Sequence, residues 1–235
     1  MIRFLNFITK TEKGIKIWSV IFGLIGTLVA IYMTYMFYSP QRTFIQNYLP
    51  ALSVPIGFLC VYLLGVRKNL GNILGMIVNI LESIVNLAFG NFGFVITAVY
   101  YETTHIFGYF SWKKNEDKHN SAIIRKMGTK RDKVILIAVL TMSTITVWLL
   151  YILKFISPEA SVFLFAGNII SMYLGIVAQG TMVLRYRHAW IIFFCLNVVA
   201  IPIQFISGNV VYGVMYIFYQ INVVITLYGQ FSKQN

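Results

Sequence analysis

The stretch that decides the fold is His188–Pro202, "HAWIIFFCLNVVAIP". Seven apolar or aromatic residues run unbroken from Trp190 to Leu196, and the next residue is Asn197. The apolar run resumes and continues to Ile206, which makes a membrane helix, since a hydrocarbon core of about 30 Å needs about 20 apolar residues. A carboxamide in the middle of such a helix costs free energy unless something hydrogen-bonds it. Asn197 therefore calls for a partner.

The rest of the chain has the same character. Of 235 residues 58% are hydrophobic and only 11% charged, where a soluble domain carries about a quarter charged. Mean hydropathy is +0.75. Too little polar surface is available to cover a soluble core, so the composition defines an integral membrane protein. The net charge of +12 would suggest nucleic acid in a soluble protein. Here the basic residues sit in loops between apolar runs, which points to orientation in the lipid bilayer and excludes a nucleic-acid partner. Cys60 and Cys195 fall inside separate apolar runs and read as small packing residues.

Eight runs are long enough to span: 17–38, 48–66, 70–89, 92–111, 134–156, 161–183, 189–206 and 209–230. With eight spans, all but Arg42 and Lys154 of the 19 lysines and arginines fall on one side, including the basic 112–133 loop. The positive-inside rule places that side, and both termini, in the cytoplasm. The first run lacks a small-residue cleavage site and reads as an anchor helix rather than a signal peptide.

Displacing the chain by 118 residues brings its halves into register. Gly57 falls on Gly175, Arg67 on Arg185, Asn79 on Asn197, Gly90-Asn91 on Gly208-Asn209, and Tyr101 on Tyr219. Glu102 falls on Gln220. The expected architecture is all-α, with one extra N-terminal helix followed by a 3+1+3 parallel repeat. Its parts are 1–47 (cytoplasmic N-terminus and extra helix), 48–111 (first three-helix unit), 112–165 (basic loop and linker helix) and 166–235 (second unit and tail). Transporters built from such repeats hold their substrate near the midplane, between the repeats.

Asn197 thus has a counterpart in Asn79, which lies about 14 Å into its helix at 1.5 Å per residue. Steps of seven return to nearly the same helix face. They join Asn72, Asn79 and Asn86 in one unit, and Trp190, Asn197 and Gln204 in the other. Two such polar stripes facing each other would line a passage, although asparagine also serves as hydrogen-bonding glue between membrane helices. Glu82 and Glu102 stand out because a carboxylate at depth is costly. Glu82 lies three residues beyond Asn79, whereas Glu102 is flanked by Tyr100 and Tyr101, with His105 a turn further on. Glu102 is the expected counter-charge to a cationic ligand.

Enzymatic readings lack machinery. Glu102-x-x-His105 has the spacing of a diiron half-site, but the second copy offers Gln220 and Val223. Neither HExxH nor GxSxG occurs, and no phosphate-binding GxxxxGK[ST] loop is present. No cofactor or metal is implied. Aromatic residues near the passage (Trp190, Phe193, Tyr101, Tyr216 and Tyr219) suit a flat heteroaromatic ligand, by stacking and by cation–π attraction.

Trp190-x-x-Phe193-x-x-x-Asn197 resembles the W-x-x-W-x-x-x-N motif of the Pnu-type vitamin transporters, with Phe193 in place of the second tryptophan. The preceding "VAQGTMVLRYRHAW" (177–190) is similar to that family's approach to the motif and includes Gln179. "HIFGYFSW" (105–112) resembles the end of its first repeat. The resemblance runs from about 48 to 231 and implies a SWEET-related fold, uptake by facilitated diffusion with cytoplasmic phosphorylation trapping the product, and a homotrimer. The expected protein is a bacterial inner-membrane carrier of nicotinamide riboside, with thiamine, riboflavin or a nucleoside as other cargoes of the same scaffold. Trp190 and Phe193 would stack the ring, and Asn79 and Asn197 would hydrogen-bond it. Glu102, Tyr101, Tyr219, Gln220, Gln179, Gln204 and Asn86 would complete the site. A non-transporting scaffold or receptor, in which the amides only join helices, is the rival class.

Overall fold

The computed structural model describes residues 2–118, 121–124 and 162–231, with isolated positions between 130 and 145. The named elements among the described residues are eight helices: α1 (Ile2–Lys10), α2 (Glu12–Met36), α3 (Phe44–Gly65), α4 (Leu70–Ala88), α5 (Phe92–Lys114), α6 (Val162–Val183), α7 (Ala189–Ile206) and α8 (Val210–Phe231). Among the described residues the only β-type pairing is an isolated bridge between Glu116 and Ala122. Six helices among the described residues (α2, α3, α4, α6, α7 and α8) are long and apolar enough to cross a membrane. α5 is a 23-residue helix that carries Glu102, His105, Lys113 and Lys114, which lower its apolarity. The linker helix expected at 134–156 falls mostly outside the described residues.

The helices overrun the apolar windows that announced them. α2 begins at Glu12 rather than Ile17 because Thr11 caps it, its hydroxyl accepting from Gly14 N at 3.0 Å. Backbone pairing continues after hydropathy falls, so charged ends such as Lys13 and Lys16 remain helical. α1 is an element the sequence reading did not foresee. It packs on α2 and α8, and Tyr62 of α3 donates its hydroxyl to Ile8 O at 2.6 Å.

Two three-helix units follow. In each, consecutive helices pack together (α3 on α4 on α5, and α6 on α7 on α8), and the units meet where α5 packs on α6 and α3 on α8. Their turns match at a spacing of 118 residues. Arg67 and Arg185 both adopt left-handed backbone, with φ of 67° and 68°. That conformation costs a non-glycine residue about 1–2 kcal/mol. Each is held by the same closure: Lys68 N donates to Leu63 O at 2.8 Å, and Tyr186 N to Thr181 O at 3.0 Å. At the opposite end Gly90 (φ 71°) and Gly208 (φ 80°) supply the left-handed residue without that cost. There Asn91 N donates to Asn86 O and Asn209 N to Gln204 O, both at 2.9 Å.

Cross-unit packing is reciprocal. A Cβ on Gly57 would strike the hydroxyl of Tyr219, and one on Gly175 would lie 3.1 Å from the hydroxyl of Tyr101. Each tyrosine therefore rests on a glycine of the other unit. Outside, the bundle exposes Leu24, Leu28, Ile80, Val99, Phe107, Val198 and Val224, while Asn72, Asn86, Gln179, Gln204 and Asn222 are buried. Apolar residues outside and amides inside suit a chain whose solvent is lipid.

Candidate functional site

A cavity of about 760 Å³, counting its opening, lies between the two units and is lined by residues from α3 to α8. Seven of the residues expected from sequence line it: Asn79, Tyr101, Gln179, Trp190, Phe193, Asn197 and Tyr219. Six aromatic side chains, Phe94, Tyr101, Trp190, Phe193, Tyr216 and Tyr219, stand in its wall among aliphatic and polar ones. Trp190 and Phe193 have ring centroids 5.5 Å apart, Phe193 meets Tyr101 edge-on at 6.4 Å, and Tyr216 lies 5.6 Å from Tyr219.

The Asn197 side chain has no hydrogen-bonding partner among the described residues. It is 3% exposed and lines the cavity. Asn79 uses its Nδ2 on its own helix, donating to Gly75 O at 2.7 Å. The Tyr101 hydroxyl is buried and also unbonded. A buried polar group without a partner costs about 1–3 kcal/mol, so the Tyr101 hydroxyl is open to a further hydrogen bond from the cavity.

The carboxylate of the cavity is Glu82, not Glu102. Glu82 lines the cavity, and Tyr219 donates its hydroxyl to Glu82 Oε1 at 3.3 Å. Glu102 is half-buried and does not line the cavity, nor does its counterpart Gln220. Helix geometry explains both. Tyr101 and Tyr219 face the cavity, and the residue after each is turned about 100° around its helix. The expectation that Glu102 faces a passage is corrected accordingly. Glu82 has no equivalent in the second unit, where Ala200 stands 118 residues on.

Asn86 and Gln204 also lie away from the cavity, at the end of the bundle where the glycine turns are. Gln204 donates to Asn86 Oδ1 at 3.0 Å, while Asn91 and Asn209 donate to Gln204 Oε1 at 3.1 and 2.9 Å. The polar stripes thus line the cavity at Asn79, Trp190 and Asn197, whereas Asn86 and Gln204 tie the units together. At the basic end the chain after α5 crosses both units. Ala122 N donates to Arg67 O at 2.9 Å, and Arg185 Nη1 to Ile123 O at 3.2 Å. Ala122 packs there in one apolar cluster with Leu64, Trp112, Met182 and Trp190.

His105, Phe94, Thr97 and Tyr216 also stand in the wall. Of these, Phe94 and Thr97 escaped the sequence reading. They recur with Tyr101 and His105 at steps of three or four along α5, a helical face that periodicity carried all along.

A multi-pass helical bundle with an aromatic, amide-bearing cavity between two three-helix units is the architecture of a small-solute carrier. The chain belongs to the nicotinamide mononucleotide transporter family, whose profile matches residues 47–230. That is a family of transporters, so the protein is not an enzyme. A crystal structure of the vitamin B3 transporter PnuC shares the fold with a TM-score of 0.70 and 19% identity, covering 97% of this chain and 94% of that one. No curated protein matches the sequence.

Proposed function

We propose that the protein carries nicotinamide riboside across the bacterial inner membrane, the cavity being its binding site. The observation that carries this reading is the unpartnered carboxamide of Asn197 inside an aromatic wall that also holds one carboxylate, Glu82. An asparagine serving only as helix glue would be hydrogen-bonded to a neighbouring helix. Trp190 and Phe193 stack the pyridinium ring, Asn79 and Asn197 bond the polar groups, and Glu82 faces the ring's positive charge.

The charge of the cavity favours the riboside over the mononucleotide in the family's description. Among the described residues no lysine or arginine lines the cavity, and a phosphate beside Glu82 would be repelled. Thiamine, also cationic, is the second cargo this charge admits, whereas riboflavin is neutral and leaves Glu82 unmet.

The 118-residue spacing of the four turns supports a parallel 3+1+3 repeat. Alternating access then comes from rocking one unit against the other, with the Asn86–Gln204 network and the Ala122 segment released in turn. The basic end, with both termini, is cytoplasmic. Transport is facilitated diffusion, drawn inward by phosphorylation of the product in the cytoplasm. Uptake of labelled nicotinamide riboside into proteoliposomes tests the function. Binding without uptake supports a receptor instead, and neither binding nor uptake removes the reading.

A further inference from the structure

A chain of hydrogen bonds runs from a main-chain carbonyl near the basic end of α5 to the cavity wall, and it has a direction. Tyr109 O can only accept, so Asn69 turns its Nδ2 toward it at 3.0 Å. Asn69 Oδ1 then accepts from Asn72 Nδ2 at 2.8 Å. Asn72 Oδ1 is left facing His105 Nδ1 at 3.0 Å, which must carry the ring proton. With a single ring proton, His105 Nε2 is an acceptor, and Gln179 Nε2 donates to it at 3.2 Å. Each orientation follows from the one before it.

The last two members, His105 and Gln179, both line the cavity. With the Gln179 amide nitrogen turned to His105, its Oε1 has no partner among the described residues. Two glycines keep room for the chain. A Cβ on Gly108 would lie 2.7 Å from Asn72 Oδ1, and one on Gly75 would strike the His105 ring. Asn72 and His105 are 0% and 2% exposed, so both bonds are shielded from bulk solvent.

We propose that Gln179, oriented by this chain, presents its carbonyl oxygen to the cavity and selects ligands that carry an N–H donor there, as a primary carboxamide does. Asn72 and His105 are its positioning residues. The inference rests on the cavity being the binding site for a nicotinamide ligand. An acceptor-only group in the same place leaves Gln179 Oε1 buried and unpaired, and desolvation penalties of this kind exceed the worth of the bond itself.

The test compares nicotinamide riboside with 3-acetylpyridine riboside by calorimetry on the purified protein. The two share ring charge, ribose and shape, but the ketone has a methyl where the amide has its N–H donors. The wild type should bind the amide at least about tenfold more tightly. Gln179→Leu should bring the ratio close to one. Asn72→Leu should do the same, although Asn72 does not line the cavity, because it frees Gln179 to turn. A wild-type ratio near one overturns the proposal, as does a ratio that neither variant changes. If the amide binds with such a ratio, the cavity reading stands and only the role of Gln179 falls. If neither riboside binds the wild type, the cavity reading falls and takes this proposal with it.

Discussion

Gln204 donates to Asn86 Oδ1 at 3.0 Å, and the two residues stand 118 positions apart, at equivalent places in the two units. The bond joins the end of α4 to the end of α7, and Asn91 and Asn209 from the following turns close on the same Gln204 oxygen. Four amides from matching places thus form one network between the units.

Breaking that network should loosen this end of the bundle. Gln204→Leu strands Asn86 Oδ1 and Asn209 Nδ2, while Asn91 keeps Ser207 Oγ at 2.9 Å, and should destabilise the protein by about 1–3 kcal/mol per buried group left unpaired. Cys60, which lines the cavity, reports on access. In a Cys195→Ser background, an impermeant thiol reagent added outside should label Cys60 faster in Gln204→Leu than with Gln204 intact. Equal rates mean that the network does not control entry from this side.

The orientation has its own test. Lys118→Cys, on the basic side, should be labelled by impermeant reagents only in inside-out vesicles or opened cells. Labelling in intact cells reverses the assignment.

Stacking should dominate affinity. Trp190→Ala removes an aromatic face, and base–aromatic stacking is worth about 1–3 kcal/mol. Nicotinamide riboside should therefore bind about 5- to 150-fold more weakly. Asn197→Leu should also weaken binding while the protein inserts and folds normally, since no described residue loses a hydrogen bond. Normal transport by both variants places the substrate elsewhere.

The charge of Glu82 should be felt by a cation and not by a neutral analogue. Glu82→Gln keeps the acceptor for Tyr219 and removes the charge. It should weaken nicotinamide riboside more than its uncharged reduced form, by about tenfold if the counter-charge is worth about 1.4 kcal/mol. Glu102→Gln is the matched control, off the cavity, and should leave both affinities unchanged. Equal losses for the two ligands in Glu82→Gln remove the counter-charge role.

Legible in the sequence were the membrane class and the positions of seven expected apolar runs that coincide with described helices, six of them long and apolar enough to cross a membrane. Those properties are one-dimensional: hydropathy, spacing and charge are written along the chain and need no knowledge of what packs on what. Asn79 and Asn197 were legible for that reason, since a repeat and a rise of about 1.5 Å per residue locate both. Which way a side chain points around its helix was not legible. Glu82 and Glu102 both read as carboxylates at depth, and Tyr101 and Glu102 are adjacent in sequence, yet only Glu82 and Tyr101 reach the cavity. The packing of α5 between α4 and α6 sets that azimuth. The same holds for His105, an isolated histidine in sequence that three helices draw into a directed chain of hydrogen bonds. A helix fixes the angles between its own residues, but only its neighbours fix the angle of the whole, and that choice belongs to the tertiary structure.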